Sequence, residues 1–317
     1  MTLFKISIPG RYREALVHVR SSFSAKRWQW LIGILAFLLV NSYIVYRLSH
    51  EWHTLESFDW TQVDWRYLVF AALVQFTGLL IAIAIWAFIM RQSGVDLPFR
   101  RHFKIYTLGN LARKLPGGLG VDLLSRIYWY DHDGADKATV SFVTLVEPII
   151  LGISAIIVLL STLVFTSTML TEINVVIPVL VLIFFLILLP TPLFRRLLVR
   201  VSHVPDGQQA LDWKHILRWI AVNTFTITLG GVTLFFFCQA FHVVPTAPLT
   251  LVQYWAMIVV SGMFLVWLPI DIGAANSLTI VLLANLMPMP QAVFILVVWR
   301  FWNTLNEMLW GALGFMV

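Results

Sequence analysis

Charge is scarce in this chain and cysteine almost missing. Only 12% of the 317 residues are Asp, Glu, Lys or Arg, against 59% hydrophobic residues and a mean hydropathy of +0.84. A soluble globular domain carries about 25% charged residues, so the soluble classes are excluded and the bilayer is the natural solvent. The single Cys238 sits in an apolar run, which excludes an intrachain disulfide and any cysteine cluster for metal. No Ser-His-Asp spacing, HExxH, Cys/His cluster or Walker signature can be placed. His102, His132, His215 and His242 read as ordinary polar residues near membrane interfaces. No cofactor, no metal and no covalent catalysis are expected. The net charge of +6 arises from Lys and Arg in loops beside apolar runs, a pattern of membrane orientation, so no nucleic-acid partner is expected.

What the chain has in abundance is apolar length. Runs at about 28–48, 66–90, 138–166, 173–193, 216–241 and 291–316 each reach the roughly 20 residues that a spanning helix needs. Many of the fourteen Trp, among them Trp28, Trp30, Trp52, Trp60, Trp65 and Trp219, fall near the ends of these runs, where amphipathic rings favour the headgroup zone. The first run follows a basic stretch and has no small-residue cleavage site after it, so an uncleaved anchor is expected. Residues 1–27 form a cytoplasmic basic segment, either an interfacial helix or a tail.

Two further stretches are broken. Residues 102–130 are interrupted at Leu115-Pro116-Gly117-Gly118-Leu119-Gly120, and 250–287 at Leu268-Pro269-Ile270-Asp271-Ile272-Gly273. Proline removes a backbone donor and glycine permits open conformations, so each break ends one half-helix and starts another.

Three regions are basic and therefore cytoplasmic: the six Lys or Arg before Trp28, then Arg91, Arg100, Arg101 and Lys104, then Arg195, Arg196, Arg200 and Lys214. If 102–130 crossed once, the basic loop around Arg195 would lie outside. That stretch must return to the side it entered from, as a re-entrant hairpin from the cytoplasm. The second broken stretch enters from outside, and its 250–268 piece is long enough to reach deep.

A single shift of the chain lays Pro116 on Pro269, Gly120 on Gly273 and Glu147 on Arg300, and brings the spans beginning near Arg66 and Arg218 almost into line. The expected fold is an all-α polytopic membrane protein with about six full transmembrane helices plus two re-entrant broken-helix hairpins arranged as an inverted repeat. Residues 28–317 form one transmembrane domain. Repeat one covers about 66–166 and repeat two about 216–317, linked by a helix at 173–193 and the basic loop 194–215. Such repeats place a site at the midplane between broken helices.

The candidate site residues follow from charge at depth, where each ion costs about 3 kcal/mol on insertion scales. Arg113, Lys114, Asp122 and Arg126 lie close to the first break. Either free amides after Gly118 form an anion cradle with Arg113 and Lys114 beside it, or these side chains snorkel to cytoplasmic headgroups from a shallow hairpin. Glu147 and Arg300 each lie about ten residues into a span, from opposite sides, and are candidates to pair. Arg300, Asn303 and Glu307 recur on one helical face. That face forms a structural lock between the repeats or a headgroup site, with Arg300 on phosphate and the carboxylates on a cation or proton. Asp271 and Asn276 flank the second break, as caps of the next half-helix or as ligand contacts.

At Asn110-Leu111-Ala112-Arg113-Lys114-Leu115-Pro116-Gly117-Gly118-Leu119-Gly120, followed by Arg126 and Glu147, the chain resembles the flippase-like family related to the transmembrane region of lysylphosphatidylglycerol synthase. In its second half that family tends to show Pro-Gly-Gly-x-Gly followed by a Glu, then an Arg in the final helix. Here the second break reads Pro269-Ile270-Asp271-Ile272-Gly273, Asn276 takes the Glu position, and Arg300 is kept.

The resemblance implies a bacterial or archaeal cell (inner) membrane protein with both termini cytoplasmic that moves a polar lipid between leaflets. The lipid is a phospholipid or a polyprenyl-phosphate-linked headgroup, and the partner is thus a membrane lipid with an anionic or phosphate headgroup. Its contacts would come from Asn110, Arg113, Lys114, Gly117, Gly118, Gly120, Arg126, Glu147, Asp271, Asn276, Arg300, Asn303 and Glu307. Aminoacyl transfer by this chain is not expected, since the family's soluble catalytic domain has no counterpart in it. The alternative is a non-transport partner that binds lipid and presents it to a separate synthase or glycosyltransferase, with that lipid-modifying enzyme as a second partner.

Overall fold

The computed structural model describes residues 60–113, 118–165, 213–242, 247–265 and 271–316. The expected spans at 28–48 and 173–193, and the basic loop 194–212, lie outside the described residues. Among those described the chain is all helical. After a short 3-10 turn at Trp60–Gln62 come α1 (Trp65–Gln92), α2 (Phe99–Ala112), α3 (Gly118–His132) and α4 (Lys137–Phe165). Then follow α5 (Trp213–Ala240), α6 (Pro248–Leu265), α7 (Asp271–Ala284) and α8 (Met289–Met316). The described residues thus hold two runs of four helices in the order long, short, short, long.

Local chemistry sets the boundaries. Asp64 caps α1, its carboxylate accepting from the Arg66 amide at 3.0 Å, and Asp136 does the same for α4 at the Thr139 amide, 2.9 Å. Gly134, at φ 82, terminates α3 in the left-handed conformation, with the Ala135 amide returning to the Tyr130 carbonyl at 2.9 Å. Pro148 stands inside α4 and deprives one carbonyl of its helical donor without ending the helix.

Three of these helices, α1, α4 and α5, are long and apolar enough to cross a membrane. The fourth expected span, α8, has the length, 28 residues, but its polar residues Arg300, Asn303, Asn306 and Glu307 leave it less uniformly apolar.

α1 and α5 form the centre and run antiparallel. The Asp64 amide donates to the Ala240 carbonyl at one end, Gly78 meets Leu229 midway, and Phe88 meets His215 at the other end. α2 packs on α8 and α6 packs on α4. Glycine allows both approaches: Gly311 and Gly314 of α8 lie against Leu111 and Thr107 of α2, and Gly152 of α4 lies against Met263 of α6. Trp86, Trp219, Tyr130 and Ile150 are among the fully buried residues of one of two large apolar clusters, both of which join α1 to α5.

Candidate functional site

α2 and α3, of 14 and 15 residues, are each about 22 Å long, short of the roughly 30 Å of bilayer hydrocarbon. They fold back on each other as an antiparallel hairpin. Arg101 pairs with Asp133 at 2.9 Å at the base, His102 meets Tyr130 above it, and Arg113 meets Asp122 at the tip. Gly118 starts the return helix at φ 45, which a side chain rarely adopts. Gly109 admits Asp122 and Arg126, because a Cβ there would stand 2.5 Å from Asp122 Oδ1 and 2.9 Å from Arg126 Nε.

The hairpin's charges form a ladder of alternating sign that runs inward. Arg113, with 37% of its side chain exposed, donates through Nε (3.1 Å) and Nη2 to Asp122 Oδ2. Asp122 Oδ1 accepts from Arg126 Nε at 2.7 Å, and Arg126 Nη1 donates to Glu147 Oε2 at 2.7 Å. Glu147 Oε1 accepts from the Tyr106 hydroxyl at 3.2 Å. Asp122 and Arg126 are wholly buried. The Arg126 guanidinium also lies over Trp86, 4.3 Å from the ring centre, and over Tyr106 at 4.9 Å.

Two cations and two carboxylates make the ladder neutral, which is how four ions can be held away from water. It ties α3 to α4 and presses both onto α1 and α2. Glu147 is therefore partnered by Arg126 within its own run of helices, and not by Arg300 as its depth suggested.

At the hairpin base Trp86 Nε1 donates to the Tyr130 hydroxyl at 2.8 Å, and that hydroxyl lies 2.7 Å from His102 Nδ1. Burial, with help from Arg91, lowers the His102 pKa from 6.5 to about 4. A neutral imidazole can then accept the Tyr130 proton at Nδ1.

The second group of expected residues lies on α8. Gln75 of α1 donates to Asn303 Oδ1 at 2.9 Å and accepts from Trp302 Nε1 at 2.8 Å. Arg300 is half-buried, and among the described residues its guanidinium has no ion pair or hydrogen bond. It shares the α8 face of Gly311 and Gly314, which α2 covers, but lies about three to four turns nearer the start of α8. α2 ends at Ala112, level with Gly311, so at the level of Arg300 it no longer covers that face.

α7 packs against both α6, with which it forms the second hairpin, and α8, where Ile280 clusters against Val293 and Leu296. This register brings the start of α7 level with Arg300 to Asn303. The free ends of both hairpins therefore point at the stretch Arg300 to Glu307.

The remaining expected residues are placed as follows. Asn110 is half-buried in the last turn of α2. Gly120 is exposed in the first turn of α3, with open space where a Cβ would stand. Asp271 opens α7 and Asn276 lies in its second turn. Glu307 is half-buried on α8. Lys114 and Gly117 lie outside the described residues.

Sequence reasoning missed Tyr106 and Trp86, whose role depends on a tertiary contact. It also missed Gln75, whose one signal was a single amide inside the apolar run of α1.

No curated protein sequence matches the chain. A family model described as the lysylphosphatidylglycerol synthase TM region matches residues 17–311, nearly the whole length, and this membrane protein accordingly belongs to that family.

Proposed function

We propose that the chain is a lipid translocase that moves a phospholipid or polyprenyl-phosphate-linked headgroup between the leaflets of the cell (inner) membrane. It works as a carrier without covalent catalysis. In this reading the two runs of four helices are inverted repeats. The antiparallel crossing of α1 and α5, and the reciprocal seating of α2 on α8 and α6 on α4, support it. The α2–α3 and α6–α7 hairpins are then re-entrant from the cytoplasm and from outside. The apolar runs 28–48 and 173–193, expected from the sequence as spans, bring the number of full spans in this reading to six, with both termini cytoplasmic.

Arg300 carries the proposal. A half-buried guanidinium with no carboxylate partner among the described residues, on the α8 stretch at which both hairpin ends point, is a site for an anion. Arg126 is wholly buried and ion-paired to both Asp122 and Glu147, so its part is to fix the hairpin. Arg113, half-exposed at the hairpin tip, is the second cation that a phosphate can reach. The lipid tails stay in the bilayer while the headgroup crosses between the hairpin ends.

The test uses purified protein in phosphatidylcholine vesicles with fluorescent (NBD) phosphatidylglycerol, read by reductive quenching of the outer leaflet. Wild type moves the probe, Arg300→Ala slows it at least tenfold, and Arg300→Lys keeps part of the rate. An Arg300→Ala protein of unchanged thermal stability and unchanged transfer would refute the reading.

A further inference from the structure

The two runs of helices pack unequally. α4 and α5 lie against each other, and Ser154 Oγ donates to the Ile220 carbonyl at 3.1 Å. Their counterparts in order, α8 and α1, share no such backbone contact. α5 also seats closely on α6, where Gly230 and Gly231 lie under Trp255 and Val252. Between α1 and α8, side chains bridge the seam.

Gln75 spends both ends of its amide on α8, as donor to Asn303 and acceptor from Trp302. Next to it Phe76 stacks on Trp310, with ring centres 4.6 Å apart and planes 6° from parallel. Asn303 Nδ2 donates to the Trp299 carbonyl at 2.9 Å. Gln75 stands ten residues into α1, about 15 Å along the helix, which is mid-depth for a spanning helix. Arg300 lies one turn from Asn303 on α8.

We infer that the seam between α1 and α8 is a lateral gate, latched by Gln75, through which a phosphate headgroup passes from the bilayer to Arg300. This rests on the translocase reading above. Opening the latch frees two donors, the Gln75 amide N–H and the Trp302 indole N–H, and two acceptors, Gln75 Oε1 and Asn303 Oδ1, beside the Arg300 guanidinium. Phosphate oxygens accept from the two N–H groups and from the guanidinium, and a headgroup hydroxyl donates to the two amide oxygens, so a phosphate headgroup that also carries hydroxyls satisfies every group that the opening exposes. A headgroup without phosphate would leave the two N–H donors and the guanidinium bare at a depth without water. The occupant that fits is therefore a phosphate-bearing headgroup with its chains remaining between α1 and α8 in the lipid.

Two experiments test the gate, both in a Cys238→Ala background. In the first, Gln75→Cys with Asn303→Cys is bridged by a short bifunctional thiol reagent, and transfer of NBD-phosphatidylglycerol is measured. The bridge is expected to cut transfer at least tenfold below that of either position alkylated alone. Gln75→Leu, which removes both latch bonds, is expected to raise transfer at least about twofold, each neutral hydrogen bond being worth about two- to tenfold. Equal transfer with and without the bridge overturns the gate.

In the second, the protein is photolabelled in vesicles by phosphatidylglycerol carrying a diazirine on its headgroup, and the labelled peptides are mapped. Labelling of the α1 and α8 peptides around Gln75 and Arg300 is expected. Labelling from a chain-end diazirine alone, or none at all because protein fills the seam, overturns the gate. If wild type moves no lipid the translocase reading fails, and the photolabelling still decides whether the seam admits a headgroup.

Discussion

Arg126 and Glu147 meet at 2.7 Å between α3 and α4, and neither is reached by solvent to any extent. Their pairing gives the first hairpin a fixed seat on a spanning helix. It also completes the neutral ladder of Arg113, Asp122, Arg126 and Glu147, which leaves Arg300 of α8 without an ion pair among the described residues.

Removing one partner of a buried pair strands the other. Arg126→Met or Glu147→Leu alone is expected to cost about 3–5 kcal/mol, and the double variant to recover much of that loss. Thermal unfolding in detergent provides the cycle. Additive losses would mean that the two groups act apart.

The two hairpin glycines should behave oppositely. Gly109→Ala puts a methyl group against Asp122 and Arg126 and is expected to destabilise by about 1–3 kcal/mol. Gly120→Ala meets open space within a helix and is expected to be neutral or stabilising by up to about 1 kcal/mol. Lost lipid transfer in a stable Gly120→Ala protein would place the headgroup against the hairpin tip, and unchanged transfer would move it away.

His102 links stability to pH. Its pKa is lowered on folding, so its contribution is complete above about 6.5 and is lost as the pH falls toward about 4. His102→Gln should flatten the melting temperature over that interval relative to wild type. An identical slope in both proteins would assign the acid sensitivity elsewhere.

The re-entrant hairpin predicts where its base is exposed. In a Cys238→Ala protein, Arg100→Cys and Asp131→Cys should both resist an impermeant thiol reagent added outside cells and react after permeabilisation. Gln291→Cys at the start of α8 should react from outside. Opposite behaviour of Arg100→Cys and Asp131→Cys would mean that the α2–α3 unit crosses the membrane.

The four expected long segments within the described residues, and both breaks, were legible in the sequence. Apolar length, the capping Asp64 and Asp136, and the Pro-Gly breaks act locally, over a few residues each. The unusual depth of Arg126, Glu147 and Arg300 was equally plain, because an ion in an apolar run stands out in one dimension.

Which ion meets which was decided by packing alone. Depth made Glu147 and Arg300 equivalent candidates, but Gly109 lets α3 approach α2 so closely that Arg126 reaches Glu147 first, between two aromatic rings. Gln75 was one amide in an apolar run until the tertiary structure set it across from Asn303 and Trp302. A sequence fixes the energetic cost of burying each polar group, whereas the partner that offsets the cost is chosen by helix contacts between residues far apart in the chain.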